Sequence, residues 1–238
     1  LLTAILTPFS LACFLFIVFW FSFDLVKPQK SGFLTWYQSS YTGWNFIFAP
    51  IMITLSGVLS WDLEEEAGAW KHRRLQPIPR WAHYIARLLG LGSLALLANL
   101  IFLATVLAGG LILRSGVPQL QMGEVQPGLL IRIAGLSFAA CMPMLALCVW
   151  LPTRISGIGL NLLITAFGCI FAFRAAAVSI LGMILPWGWA SQVVGMVLEG
   201  QGSIPGAALG AAASVVLFGI VGLLDSSMGD EPHGWRGA

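Results

Sequence analysis

Charge is what this sequence has least of. Only 9% of its residues are Asp, Glu, Lys or Arg, 58% are hydrophobic, and the mean hydropathy is +0.88. Soluble domains carry about a quarter charged residues, so a soluble globular protein is excluded and a bilayer is the natural solvent. The net charge of +2 is too small to argue for a nucleic-acid partner, and the basic residues cluster in one place rather than along a face.

Chemistry is equally scarce. No glycine-rich phosphate loop followed by Lys-Ser or Lys-Thr occurs, which removes that route to ATP binding and hydrolysis. There is no His-Glu-x-x-His, no serine in a glycine elbow and no acidic cluster at metal spacing. His72, His83 and His233 are scattered and read as solvated. Acidic residues are missing from the interiors of the apolar runs, where ion-coupled carriers keep a buried carboxylate. Cys13, Cys141, Cys148 and Cys169 all fall inside apolar stretches and read as packing residues. The chain opens at Leu1 directly in an apolar stretch, without the basic start and cleavage site of a signal peptide, so further cytoplasmic residues are expected upstream.

What is there is a series of apolar runs. A spanning helix needs ~20 mostly apolar residues, and polar breaks delimit six candidates at about 1–23, 44–61, 88–113, 128–151, 156–180 and 205–224. The expected fold is all-α, a polytopic membrane protein of six transmembrane helices forming one domain over 1–238. The segment 62–87 carries Lys71, Arg73, Arg74, Arg80 and Arg87, whereas 24–45 carries only Lys27 and Lys30. The positive-inside rule then places 62–87 in the cytoplasm, with Arg154 and both termini on the same side. Trp36, Tyr37, Tyr41 and Trp44 before span two, and Trp187 and Trp189 after span five, suit an interfacial belt at the outer face. The segment 181–204, interrupted by Pro186, is expected to lie outside at the interface. Gly206, Gly210 and Ser214 in span six have the small-residue spacing that admits close helix contact.

The stretch from Trp61 to Arg87 concentrates charge, with Asp62, Glu64, Glu65 and Glu66 first and Lys71, Arg73 and Arg74 after. That order complements the dipole of a short helix from Asp62 to Arg74. Pro77 and Pro79 break the chain before a helix starting near Trp81. On charge alone this is a solvated loop.

Its spacing resembles the first cytoplasmic loop of ABC type-2 exporter permeases, which carry a Glu-x-Glu-x-Gly-Thr turn, then Pro, Arg and a Lys entering span three. Glu64, Glu66 and Gly68 match the opening, and Pro77, Arg80 and Arg87 stand at the later positions, while Ala69 replaces Thr and Arg87 replaces Lys. Trp70-Lys71 is similar to the lantibiotic-immunity branch. The resemblance implies that Glu64, Glu65, Glu66, Gly68, Trp70, Lys71, Arg73, Arg74, Pro77, Arg80 and Arg87 form an element docked on an ATP-binding subunit. It also implies two such subunits, which hold the ATP and Mg while this chain holds no cofactor, and a second permease copy or paralogue. The expulsion of an amphiphilic, lantibiotic-type peptide from a bacterial cytoplasmic membrane, as self-immunity, is implied by the same resemblance. A drug, lipid or polymer substrate stays open, as do a membrane-embedded enzyme of lipid metabolism built on the acids and histidines of 62–87, and a scaffold. Arg174, inside an apolar run, either snorkels to the outer interface or lines a hydrated path together with Trp36, Trp44, Trp187 and Trp189.

Overall fold

The computed structural model describes residues 32–68, 80–116, 127–155, 157–175 and 186–190, with positions 216, 219, 220 and 224. All of its regular structure is helical. A continuous rod runs from α1 (Gly32–Gly43) through a π-helical turn (Trp44–Phe48) into α2 (Ala49–Glu66). It is followed by α3 (Arg80–Gly116), α4 (Pro127–Trp150) with a 3-10 turn (Leu151–Thr153), and α5 (Ile158–Ala175).

Three of these stretches are long and apolar enough to cross a membrane, Trp36–Glu66, Trp81–Ser115 and Pro127–Thr153, and Ile158–Ala172 is a shorter apolar helix. They cover the apolar cores expected at 44–61, 88–113 and 128–151, and of the run expected at 156–180 the described part, 158–175, is helical. The expected span 1–23 and nearly all of 205–224 lie outside the described residues. Two helices run past the apolar runs, α2 to Glu66 and α3 from Arg80, the latter close to the helix start expected near Trp81. At 1.5 Å per residue, the 37 residues of α3 extend on the order of 55 Å, far beyond a ~30 Å hydrocarbon core, so Arg80–Arg87 continues the helix out of the apolar region.

The π turn has a local cause. Pro50 has no N–H to donate to the carbonyl four residues back, and the Ala49 N–H reaches instead to the Trp44 carbonyl, five back. The wider turn absorbs the proline without ending the rod.

α2 is the hub, packing against α3, α4 and α5, while α3 lies along α4 and α1 packs on α3. It comes close to α4 at Gly57, where a Cβ would stand 2.7 Å from the Cys148 carbonyl oxygen. The core is unusually aromatic at one end. Trp44 stacks on Phe102 with centroids 4.6 Å apart, and Tyr41 meets the same ring edge-on at 5.1 Å. The Trp36 indole N–H donates to the Val106 carbonyl at 3.1 Å, and the Tyr37 hydroxyl donates to the Leu130 carbonyl at 3.2 Å. This overturns the belt expected for Trp36, Tyr37, Tyr41 and Trp44. All four are buried between helices, because the face that carries them packs onto α3 and α4, whose Val106 and Leu130 carbonyls take the Trp36 and Tyr37 donors, while the Tyr41 hydroxyl is buried without a partner.

Several polar residues inside the bundle are paired across helices. The Thr54 hydroxyl donates to the Pro50 carbonyl at 2.9 Å and lies 2.8 Å from the Thr165 hydroxyl and 3.3 Å from the Cys148 thiol. Asn99 donates to the Ala134 carbonyl at 3.0 Å, and the Tyr84 hydroxyl to the Ala146 carbonyl at 3.1 Å. Such bonds fix which helix faces meet, each at a modest ~0.6 kcal/mol in a membrane protein.

Candidate functional site

At the end of the bundle where α2 stops and α3 begins, the acidic run behaves differently from its expected form. Asp62–Glu66 is not the start of a separate helix but the last turn and a half of α2. The Ala67 N–H bonds to the Leu63 carbonyl at 3.1 Å and the Gly68 N–H to the Glu65 carbonyl at 3.0 Å. Gly68 then takes φ +62°, the left-handed conformation with which helices commonly terminate and which glycine adopts without a Cβ penalty. The expected complement between acids and dipole is therefore reversed, since Glu64, Glu65 and Glu66 sit at the negative C-terminal end of a helix. Each acid there is disfavoured by ~0.3–1 kcal/mol.

One of the three is compensated. The Arg87 guanidinium grips Glu64 as a fork, its Nε donating to Oε1 at 3.3 Å and its Nη2 to Oε2. The same guanidinium lies over the Trp61 ring, 4.3 Å from its centroid. Arg87 is 13% exposed and Glu64 29%, so the pair is partly desolvated and rigid. It ties the end of α2 to the second turn of α3 and fixes the mouth of the connection between them. Glu65, Glu66 and Ala67 remain exposed, as do the apolar side chains of Leu63 on α2 and Trp81 in the first turn of α3.

The structure thus brings together Glu64 and Arg87, from opposite ends of the motif, and adds Trp61. Arg80 opens α3, and its side chain lies outside the described residues, as do Trp70, Lys71, Arg73, Arg74 and Pro77. Arg174 lies in the last turn of α5 with its side chain also outside the described residues. Trp36 and Trp44 are in the core, Trp189 is buried, and Trp187 packs against the core. The belt expected of Trp189 is likewise corrected, because it is buried against Ala140 of α4, while Trp187 is half-buried against the core.

Sequence reasoning missed a second polar site. Asn45, on the π turn, is buried, accepts from the Ser137 hydroxyl at 2.8 Å and donates to the Ala190 carbonyl at 3.3 Å. Polar residues within otherwise apolar runs were the available signal. Among the described residues, no three His, Cys, Asp or Glu side chains stand together as metal ligands would.

The chain matches no curated protein and no solved structure. A family model described as ABC-2 family transporter protein matches residues 3–168, a stretch that contains the charged turn and four of the five described helices entirely. With that match over more than half of its length, the chain belongs to the ABC-2 family transporter proteins, as a multi-pass membrane permease subunit.

Proposed function

We propose that this chain is the permease of an ATP-driven exporter in which 62–87 couples the spans to an ATP-binding subunit. The full assembly holds two such subunits and a second permease, identical or paralogous. The observation that carries this reading is the placement of Glu65 and Glu66. Both are exposed at a helix end that disfavours acids, beside a Glu64–Arg87–Trp61 clasp that holds the end rigid. A cationic groove on a partner would relieve that electrostatic cost, and a rigid charged end can transmit a rigid-body displacement to the helices it joins. An enzyme of lipid metabolism fits less well, since these acids form one contiguous run on a helix end rather than a cage across helices.

The cargo we propose is an amphiphilic peptide of lantibiotic type, expelled from a bacterial plasma membrane as self-protection. Trp70-Lys71 supports that branch. The test is to reconstitute the chain with its ATP-binding subunit and measure ATP hydrolysis while adding a lanthionine-bridged peptide, a lipophilic drug cation or a polyprenyl-linked glycan. Stimulation by the peptide is expected. Stimulation by either of the others alone would reassign the substrate, and co-purification without hydrolysis by any ATPase would leave a scaffold.

A further inference from the structure

Pro186–Ala190 is buried within the bundle. Pro186, Gly188, Trp189 and Ala190 have little exposed surface, and Trp189 and Ala190 pack with Ala140 of α4. On the other side, Trp187 lies so close to Gly168 of α5 that a Cβ there would stand 2.5 Å from the indole Cδ2. α4 and α5 each pack on α2, yet among the described residues they make little direct contact with one another. The segment therefore fills the seam between them.

What holds it there is lopsided. Asn45 donates to the Ala190 carbonyl at 3.3 Å, and the Ser137 hydroxyl, donating to Asn45 Oδ1 at 2.8 Å, sets which way the amide faces. Against this, the indole Nε1 atoms of Trp187 and Trp189 are buried without an acceptor. An indole N–H can only donate, and a buried donor without a partner carries its whole desolvation cost. At a membrane–water interface, where tryptophan is at home, both donors would find partners. Apolar packing and the Asn45 amide bond favour the seated position, while the two unspent indole donors favour departure.

We propose that Pro186–Ala190 is a displaceable plug at the α4–α5 seam, latched by Asn45, whose release opens a side exit from the bundle for an amphiphilic substrate. The proposal rests on the permease reading for its cargo, but the plug itself can be tested without nucleotide or substrate.

The test places a cysteine at Ala190 in a full-length chain whose native cysteines are replaced by alanine. Its labelling by a membrane-impermeant maleimide is timed in reconstituted vesicles, with Arg132→Cys as the exposed reference near that end of α4. Labelling of position 190 should be slow against the reference. Asn45→Leu, or Asn45→Gln if the leucine variant does not accumulate, should speed it about fivefold or more, and Gly168→Ala should do the same by evicting Trp187. Trp187→Phe removes an unpartnered donor while keeping most of the ring, and should slow labelling at least threefold. That opposite sign separates a latch from general loosening, which would speed every variant. Equal rates in all variants, a faster rate in Trp187→Phe, or a parent rate equal to the reference would overturn the plug. None of these depends on ATP hydrolysis, so the exporter reading stands or falls separately.

Discussion

Gly68 and the Glu64–Arg87 pair set the shape of the charged turn by different means. A Cβ at Gly68 would meet nothing within 4 Å, so replacing it changes only the backbone energy. Left-handed φ costs an alanine ~1–2 kcal/mol and an asparagine less, because asparagine visits that region more readily. Thermal unfolding in detergent should therefore rank Gly68 above Asn above Ala. Equal stability of Gly68→Ala would mean the turn relaxes to another conformation. Arg87 acts through its planar fork and its stacking on Trp61, neither of which an ammonium reproduces. Arg87→Lys is expected to lose much of what Arg87→Ala loses, on the order of 1–3 kcal/mol for a charged hydrogen-bonded pair with partial exposure. A double-mutant cycle with Glu64→Gln should show coupling of at least ~0.5 kcal/mol. Additive effects would reduce the pair to two independent surface charges.

Among the helices, glycine has opposite meanings at two positions. Gly57 lies at the α2–α4 crossing, where a methyl would press on the backbone carbonyl of Cys148, and rigid backbone cannot yield as a side-chain tip can. Gly57→Ala should destabilise by ~1–3 kcal/mol. Gly90 of α3 is exposed with open space around it, and Gly90→Ala should be neutral or stabilising by up to ~1 kcal/mol. Unfolding midpoints of the two variants, measured together, check the contrast, and parity between them would mean that the crossing is looser than its geometry. How much of this was legible in the sequence follows from what fixes each feature. Apolar cores were readable because length and hydropathy are properties of one segment. The start of α3 was readable too, because Pro77 and Pro79 announce a break just before Trp81, whereas the end of α2 was not, since Asp62–Glu66 continues the helix into polar sequence that hydropathy treats as loop. The burial of Trp36, Tyr37, Tyr41 and Trp44 depends on the carbonyls of Val106 and Leu130 and on the ring of Phe102, partners distant in sequence. The π turn was half-visible in Pro50, which announces a missing bond but not whether the helix breaks, kinks or widens. At the site, Glu64 and Arg87 could be singled out by motif spacing, whereas their clasp, and Asn45 with Ser137, required the fold.

For the whole molecule, relative orientation is set by the contacts. The Tyr84–Ala146 bond and the Glu64–Arg87 pair place the end of α2, the start of α3 and the end of α4 together, and Trp36–Val106 and Tyr37–Leu130 gather the opposite ends. Positive charge in 62–87 then predicts that cysteines at Glu66 and Gly128, both exposed, label from opposite faces of intact cells, position 66 from the cytoplasm only. Labelling of position 66 from outside would invert the layout. The coupling reading makes the stricter demand. If Glu65 and Glu66 are held out for a cationic groove, reversing Glu66 to Lys removes an attraction and adds a repulsion at a partner surface, where losing one member of a desolvated pair costs ~2–5 kcal/mol. Gly68→Pro acts on the same contact by geometry, because proline fixes φ near −65° and cannot follow the +62° turn. Both variants leave the packed core of α2 untouched, so each should insert and purify as the parent does. In complex with the ATP-binding subunit, both should bind more weakly and lose most of the substrate-stimulated hydrolysis. The Glu66 variant alone should regain part of it when a basic residue of the partner groove is changed to acid. Full stimulation in both variants would show that 62–68 is a solvated turn and that the spans are driven from elsewhere.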